Sequence, residues 1–389
     1  MLSKRIQTLS PSLTIAVATL ARELKAAGKD VISFSAGEPD FDTPVAVKNA
    51  AKAALDAGHT KYTAVPGTPE LLQAVADKLK RENGLSYASN QIQTNNGAKH
   101  SLFNLFQAVV DHGDEVIIPA PYWVTYPELV KYASGIPVII ETDDSTGFKI
   151  TAEQLKAAIS PKTKMLVLTS PSNPTGAVYS EEELKALAEV LKGTNVIVAS
   201  DEMYEKLVFD NVKFVAAASI SEDMFQRTIT INGLSKSAAM TGWRFGYMAS
   251  ANTELIAVMN KLQSQSTSNI NSITQDAAIV GLDGTIDSEV EEMRLAFEAR
   301  CQEATDLFNA VEGLSVVKPN GAFYLFVNIK EVSNDSMQFC KDLLEDQGVA
   351  VVPGVGFGAE GYFRFSYATN IDTIKKGIQR IEAFVQKQK

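Results

Sequence analysis

Cysteine is nearly absent: Cys301 and Cys340 are the only two in 389 residues, and no C-x-x-C spacing joins them. Two are too few for a disulfide framework, and a reducing compartment is the simpler expectation. Histidine is almost as scarce, and His59, His100 and His112 have no metal-ligand spacing, so no metal site is expected. There is no excess of positive charge; the net charge of −10 argues against nucleic acid or an anionic membrane as the main partner. Apolar runs of membrane-spanning length are missing too. The opening MLSKRIQTLSPSLTIAVATLARELKAAG places charges and turn formers where a signal peptide needs an unbroken apolar core. These absences lead to the expectation of a cytoplasmic protein. With 45% hydrophobic and 21% charged residues, what remains is ordinary globular composition with room for two cores.

Along the chain the apolar pattern alternates between two periods. Helical spacing runs over residues 13–27, and VISFSAG (31–37) reads as a short extended segment ending at glycine. Thr43-Pro44 and Thr68-Pro69 each place a capping residue before a first-turn proline, predicting helices that reach about residues 57 and 83. Strand candidates then alternate with helices at 115–119, 136–141, 164–170, 195–200, 228–232 and 245–250. Continuous apolar strands between helices predict an α/β protein with a mostly parallel sheet covered on both faces. From about residue 293 the pattern changes to a long helix, GAFYLFVNI, a further helix and YFRFSYA, which reads as a smaller α/β domain. The expected division is an N-terminal segment, 1–45, joined to the small domain, a large domain at 46–290, and the small domain at 291–389.

In an open parallel sheet, ligands sit outside the carboxyl ends of the strands. SPSNPTG (170–176), DEMY (201–204), NNGAK (95–99) and the Ser235-Lys236 pair each follow a predicted strand. Singly, these read as turn chemistry, a solvated strand end or a helix cap. Together they bring a carboxylate, a phenol, an amide, an amine and an anion-binding helix start to one rim. Within INGLSKSAAMTGWRFGY (231–247), small residues around Lys236 let other atoms approach closely. A lysine amine kept dry in such a place can lose its proton and act as a nucleophile.

At this point the residues resemble a known family. SPSLTIAV, AGEPDFDTP, KYTAVPG, NGAKHSLFN, APYWVTYPE, SPSNPTGAVY, SDEMYE, NGLSKSAAMTGWRFGY, GAFYLF and RFSYAT occur in order over essentially the whole chain. The sequence is similar to fold type I pyridoxal-phosphate aminotransferases of the aspartate aminotransferase class, in the subgroup containing bacterial aspartate and plastid-type prephenate aminotransferases. That resemblance implies a seven-stranded, mostly parallel sheet with a smaller α/β domain, and pyridoxal 5′-phosphate as cofactor. It casts Lys236 as the amine that bonds to the cofactor's aldehyde and then moves the proton. Asp201 would face the pyridine nitrogen, where a buried charge pair keeps the proton on. Tyr204 and Asn173 would bond the phenolic oxygen, and Trp123 would lie against the ring.

The amides of Gly97, Ala98 and Lys99, opening a helix, would hold the phosphate together with Ser235 and Arg244. Ala98 is a mild departure, because the family often has a second glycine there. Tyr62 resembles the tyrosine that reaches the phosphate from the neighbouring subunit, which implies a homodimer with shared sites. Arg364 alternates with Tyr362 and Ser366 on one face of YFRFSYA. An arginine on so apolar a strand is costly unless an anion meets it, and the resemblance gives it the substrate's α-carboxylate, assisted by Gly37 and Asn173.

For the distal carboxylate, the larger animal-type enzymes use an arginine from the partner subunit, whereas the matching SQSTSNINS (264–272) contains none. Lys99 and Thr14 stand at the positions of the subgroup's substitute. The expected reaction is therefore amino transfer between L-aspartate and 2-oxoglutarate, giving oxaloacetate and L-glutamate, with prephenate as an alternative acceptor. A β-lyase or decarboxylase would keep Lys236, Asp201 and Arg244 but divert the carbanion. A cofactor-binding regulator would need a DNA-binding domain, for which there is no room ahead of residue 31.

Overall fold

A computed structural model describes residues 2–388. Helix α1 (Leu13–Ala26) leads into the two-residue strand β1 (Ile32–Ser33), and α2 (Val45–Asp56) and α3 (Pro69–Asn83) follow. The start of α3 follows from its sequence: Thr68 accepts a bond from the Leu71 amide at 3.3 Å, Pro69 fills the first turn, and Gly84 closes the helix at φ 69°. Thr43 behaves differently. Pro44 itself precedes α2 with no side-chain cap, because the Thr43 hydroxyl donates to the Ala239 carbonyl at 2.7 Å and accepts from the Trp243 indole at 2.9 Å. The residue expected to cap a helix instead ties that turn to the loop beyond Lys236.

The main sheet contains β2 (Ile92–Asn95), β3 (Glu115–Ala120), β4 (Ile136–Glu141), β5 (Thr163–Thr169), β6 (Ile197–Asp201), β7 (Thr228–Gly233) and β8 (Gly246–Ser250). Their order is β2-β8-β7-β6-β5-β3-β4. Pairing is parallel from β7 to β4, and β8 lies antiparallel to both its neighbours. Helix α4 (Ala98–Val109) follows β2. Successive residues of β5 divide between two cores: Met165 and Val167 join one cluster, Leu166 and Leu168 another. Both faces are thus covered, as the unbroken apolar runs required, and each such buried side chain contributes roughly 1.5–3 kcal/mol.

A second sheet has the order β12-β13-β10-β9, with β9 (Ser315–Val316), β10 (Tyr324–Asn328), β12 (Val352–Pro353) and β13 (Tyr362–Ser366) all antiparallel. Strand β1 pairs in parallel with β11 (Val349–Ala350). Phe34, just past β1, stacks on Phe365 of β13 at 4.1 Å between ring centres. Phe363, Phe365 and Tyr367 enter that shared core while Arg364 points the other way. Among the described residues no helix is long and apolar enough to cross a membrane.

Candidate active site

The polar groups at the sheet's carboxyl rim meet in a cleft of about 570 Å³, closed on one side by α1 and on another by Arg364 of β13. Asp201 ends β6, side by side with Thr169 at the end of β5. Its Oδ2 accepts a bond from the Tyr126 hydroxyl at 2.7 Å, and that hydroxyl also meets Thr169 Oγ1 at 2.9 Å. The Met203 amide donates to the other carboxylate oxygen at 3.3 Å. Burial pushes the Asp201 carboxyl above its ordinary range, opposed by these bonds and by the nearby Lys236 amine. Neither Tyr126 nor Thr169 was expected from the sequence. Their signals were the W-x-x-Y spacing, which puts Trp123 and Tyr126 edge to face at 5.6 Å, and the register of β5 against β6.

Lys236 stands in the turn after β7. Gly233, at the strand's end, can carry no side chain, since a Cβ there would lie 2.7 Å from the Phe245 carbonyl. Ala238 is buried against the core, so the small residues near the lysine keep the turn tight. The lysine is half-buried, its opening being the cleft itself, and its amine donates to the Gly37 carbonyl. Burial, and then the positive charge of Arg364, push the amine down to about 8, with Arg244 acting in the same sense and Glu38 and Asp201 opposing. The Tyr204 ring centre is 5.9 Å away. The Tyr204 hydroxyl shares a 2.9 Å bond with that of Tyr324, and burial raises its titration well above the usual range, followed by the effect of Tyr324. Tyr324, on β10, is a further residue that sequence reasoning missed.

Arg364 is 1% exposed. Its Nη1 donates to Asn173 Oδ1 at 2.9 Å and its Nη2 to the Ser35 carbonyl at 2.8 Å, while Nε has no partner among the described residues. The guanidinium lies 4.3 Å from the Tyr324 ring centre. No carboxylate pairs with it among the described residues, and burial disfavours its charge. A structural ion pair is therefore not what brought this arginine inside. A dry, unneutralised guanidinium facing a cleft is built for an anion from outside.

At the start of α4, Gly97 has φ +81°, and a Cβ there would meet Arg244 Nη2 at 2.5 Å. Glycine thus lets the guanidinium close on the helix start, whose first-turn amides receive no side-chain cap. Arg244 is anchored by the Thr241 carbonyl at 2.8 Å and forms no ion pair among the described residues. Ala98, Lys99 and Ser235 line the same cleft. The Lys99 amine sits 4.8 Å above the Trp123 ring, and burial, then Arg244, lower its hold on a proton. Across the cleft, Thr14 Oγ1 is buried without a partner among the described residues. Tyr62 is not brought into this cleft by its own chain; it is 91% exposed. Gly37 is present at the rim, with its carbonyl taken by Lys236.

A helix start that suits an anion, a buried carboxylate, a lysine whose proton is loosely held and a buried arginine follow one another along the chain and converge in this cleft. Residues 29–381 match the family described as Aminotransferase class I and II. The chain belongs to this aminotransferase family. It is 49% identical over 391 residues to the aspartate aminotransferase of Bacillus subtilis (strain 168), covering 99% of each chain. It is 48% identical over 395 residues to the aspartate/prephenate aminotransferase of Cereibacter sphaeroides, covering 98% of each. Among solved structures, the aspartate aminotransferase from Rhizobium meliloti superposes with a TM-score of 0.96 at 44% identity, over 99% of both chains. The Thermus thermophilus aspartate aminotransferase with maleate gives 0.95 at 42% identity, over 98% of this chain and 99% of that one.

Aminotransferases of this family work with pyridoxal 5′-phosphate, and the cleft fits that group. The uncapped amides of α4 and Arg244, which has no ion pair among the described residues, suit a phosphate, the buried Asp201 suits a protonated ring nitrogen, and the Lys236 amine suits an aldehyde.

Proposed function

We propose that this enzyme transfers the amino group of L-aspartate to 2-oxoglutarate, giving oxaloacetate and L-glutamate. The observation that carries this reading is the placement of Arg364 and of Lys99 with Thr14 in one cleft, none of them paired with a carboxylate among the described residues. Two separate anion readers in one cleft suit a dicarboxylate. Arg364, aided by Asn173 and the backbone at Gly37, takes the α-carboxylate, and Lys99 with Thr14 takes the distal one. Bound pyridoxal phosphate supplies the electron sink that makes the substrate's Cα proton removable. Lys236, with its proton held loosely, takes that proton and returns it. Asp201, fixed by Tyr126, would hold positive charge at the ring nitrogen, Tyr204 and Asn173 would bond the ring oxygen, and Trp123 would lie against the ring. Gly97, Ala98, Lys99, Ser235 and Arg244 would hold the phosphate.

Prephenate is a second acceptor supported by the same pair, Lys99 and Thr14, since it also carries a distal carboxylate; the Cereibacter relative is named for both activities. We further propose a cytoplasmic homodimer serving amino-acid biosynthesis, in which the outward Tyr62 reaches the neighbouring subunit's phosphate. Exposed Val45, Leu55 and Ile15 on α2 and α1 support a covered face there. The division into 46–290 and 291–389, with 1–45 joining the latter, is proposed from the packing of Phe34 on Phe365. Oxaloacetate formation from aspartate and 2-oxoglutarate tests the reading; absence of amino exchange with every acidic donor would overturn it.

A further inference from the structure

One cation in the cleft has no task in the chemistry above. Thr14, Ala18 and Arg22 follow one another at four-residue steps on α1, and all three line the cleft. Arg22 lies about 12 Å along the helix from Thr14, and helical side chains lean toward the N-terminus, so its guanidinium tilts back over the small Ala18. Among the described residues Arg22 makes no hydrogen bond and no ion pair. Among the described residues that line the cleft with it, no acid is free to take it. In the cleft lining, Asp201 is buried against Tyr126, and Glu38 accepts a bond from Thr241 at 2.9 Å. In the adjoining groove, Arg22 shares the lining with Lys25, Lys29 and Lys376. The one carboxylate there, Asp30, is already held by Arg380 and by Lys376 at 3.5 Å.

We propose that Arg22 is a specificity-determining residue that receives the distal anionic group of acids longer than aspartate. The inference rests on the reading that Arg364 anchors the α-carboxylate. A four-carbon acid then ends at Lys99 and Thr14, about two helical turns below the Arg22 backbone, from which the long side chain reaches back. Each added methylene carries the distal carboxylate outward along α1, toward a guanidinium that no group among the described residues binds. The cations beside it deepen the positive field at the rim, in a protein whose net charge is −10.

The test compares wild type with Arg22→Gln, Arg22→Lys and Lys25→Gln, using L-aspartate, L-glutamate and L-2-aminoadipate as donors. Arg22 is exposed, so these variants keep the fold. For Arg22→Gln the expected fall in kcat/KM grows with chain length and reaches roughly two- to fivefold for 2-aminoadipate, the range of a partly exposed charge pair. The loss falls in KM rather than kcat, is largely restored by Arg22→Lys, and fades as salt is raised. Calorimetric binding of succinate, glutarate and adipate to the holoenzyme is expected to weaken in the same order. Because these acids are unreactive, this arm reads Arg22 even if aspartate is not the donor. Equal losses at every length, the same length profile in Lys25→Gln, or no change with any acid would each overturn the proposal.

Discussion

Asp201 and Thr14 line the same cleft, yet their surroundings differ. On the sheet side each polar group is backed by another: Asp201 by Tyr126 and Thr169, Tyr204 by Tyr324, Asn173 by Arg364. On the side of α1 and Lys99 the groups stand alone among the described residues: Thr14 Oγ1 is unpartnered, Arg22 has no bond, and the Lys99 amine rests on the Trp123 ring. The first arrangement fixes geometry before any substrate arrives, which chemistry requires. The second leaves polar atoms waiting for a ligand, which suits discrimination between ligands. Substitutions on the sheet side are expected to remove activity for all donors, and those on the α1 side to redistribute it among them.

The largest break is expected from Lys236→Ala, which removes the amine proposed as both covalent anchor and proton carrier. All turnover and the pH-dependent visible absorbance of the bound cofactor should be lost; a coloured, active variant would refute the assignment. Asp201→Ala comes next. Breaking a buried charge pair costs about 3–5 kcal/mol, or roughly two to four powers of ten in rate, with cofactor still bound. Unchanged single-turnover rates would contradict its role.

Much of the sheet side was legible because strand ends announce themselves. Lys236, Asp201, Asn173 and Arg364 each stand at a strand end or on an apolar strand where a polar residue is conspicuous. Tyr126, Thr169 and Tyr324 were not legible as site residues, since a buried tyrosine or a strand-end threonine reads as packing until its hydroxyl's partner is known. Thr43 was misread for a similar reason: T-P spells a helix start, but tertiary bonds to Ala239 and Trp243 outweighed the cap. Nothing in the sequence singles out Arg22, and only the shared cleft lining distinguishes it from Lys25.

Smaller changes sharpen the contrast. Lys99→Ala should lower kcat/KM for aspartate and glutamate about ten- to a hundredfold, the loss of a charged hydrogen bond, with alanine or an aromatic donor little changed. Equal losses would move Lys99 to the sheet-side group as a phosphate holder. Tyr126→Phe deletes one donor to Asp201 and is expected to slow every donor alike by about tenfold or less. Since the Tyr126 bond lowers the Asp201 titration against burial, its loss raises that titration further and should shift the pH profile upward. A donor-selective effect would contradict this placement.

The smallest effect concerns cofactor-free protein. Lys236 titrates near 8 when folded and near 10.5 ordinarily, so between those values the unfolded chain binds more protons. Lys236 therefore makes stability rise with pH across that window. Thermal unfolding of wild type and Lys236→Met should diverge over it; parallel curves would mean that the amine is not held dry.

The most direct measurement mixes holoenzyme with L-aspartate alone, without an oxo acid. One equivalent of oxaloacetate per chain is expected, followed by a halt, with turnover resuming when 2-oxoglutarate is added. Continuous release of ammonia, or alanine appearing with carbon dioxide, would contradict amino transfer and assign this cleft to elimination or decarboxylation instead.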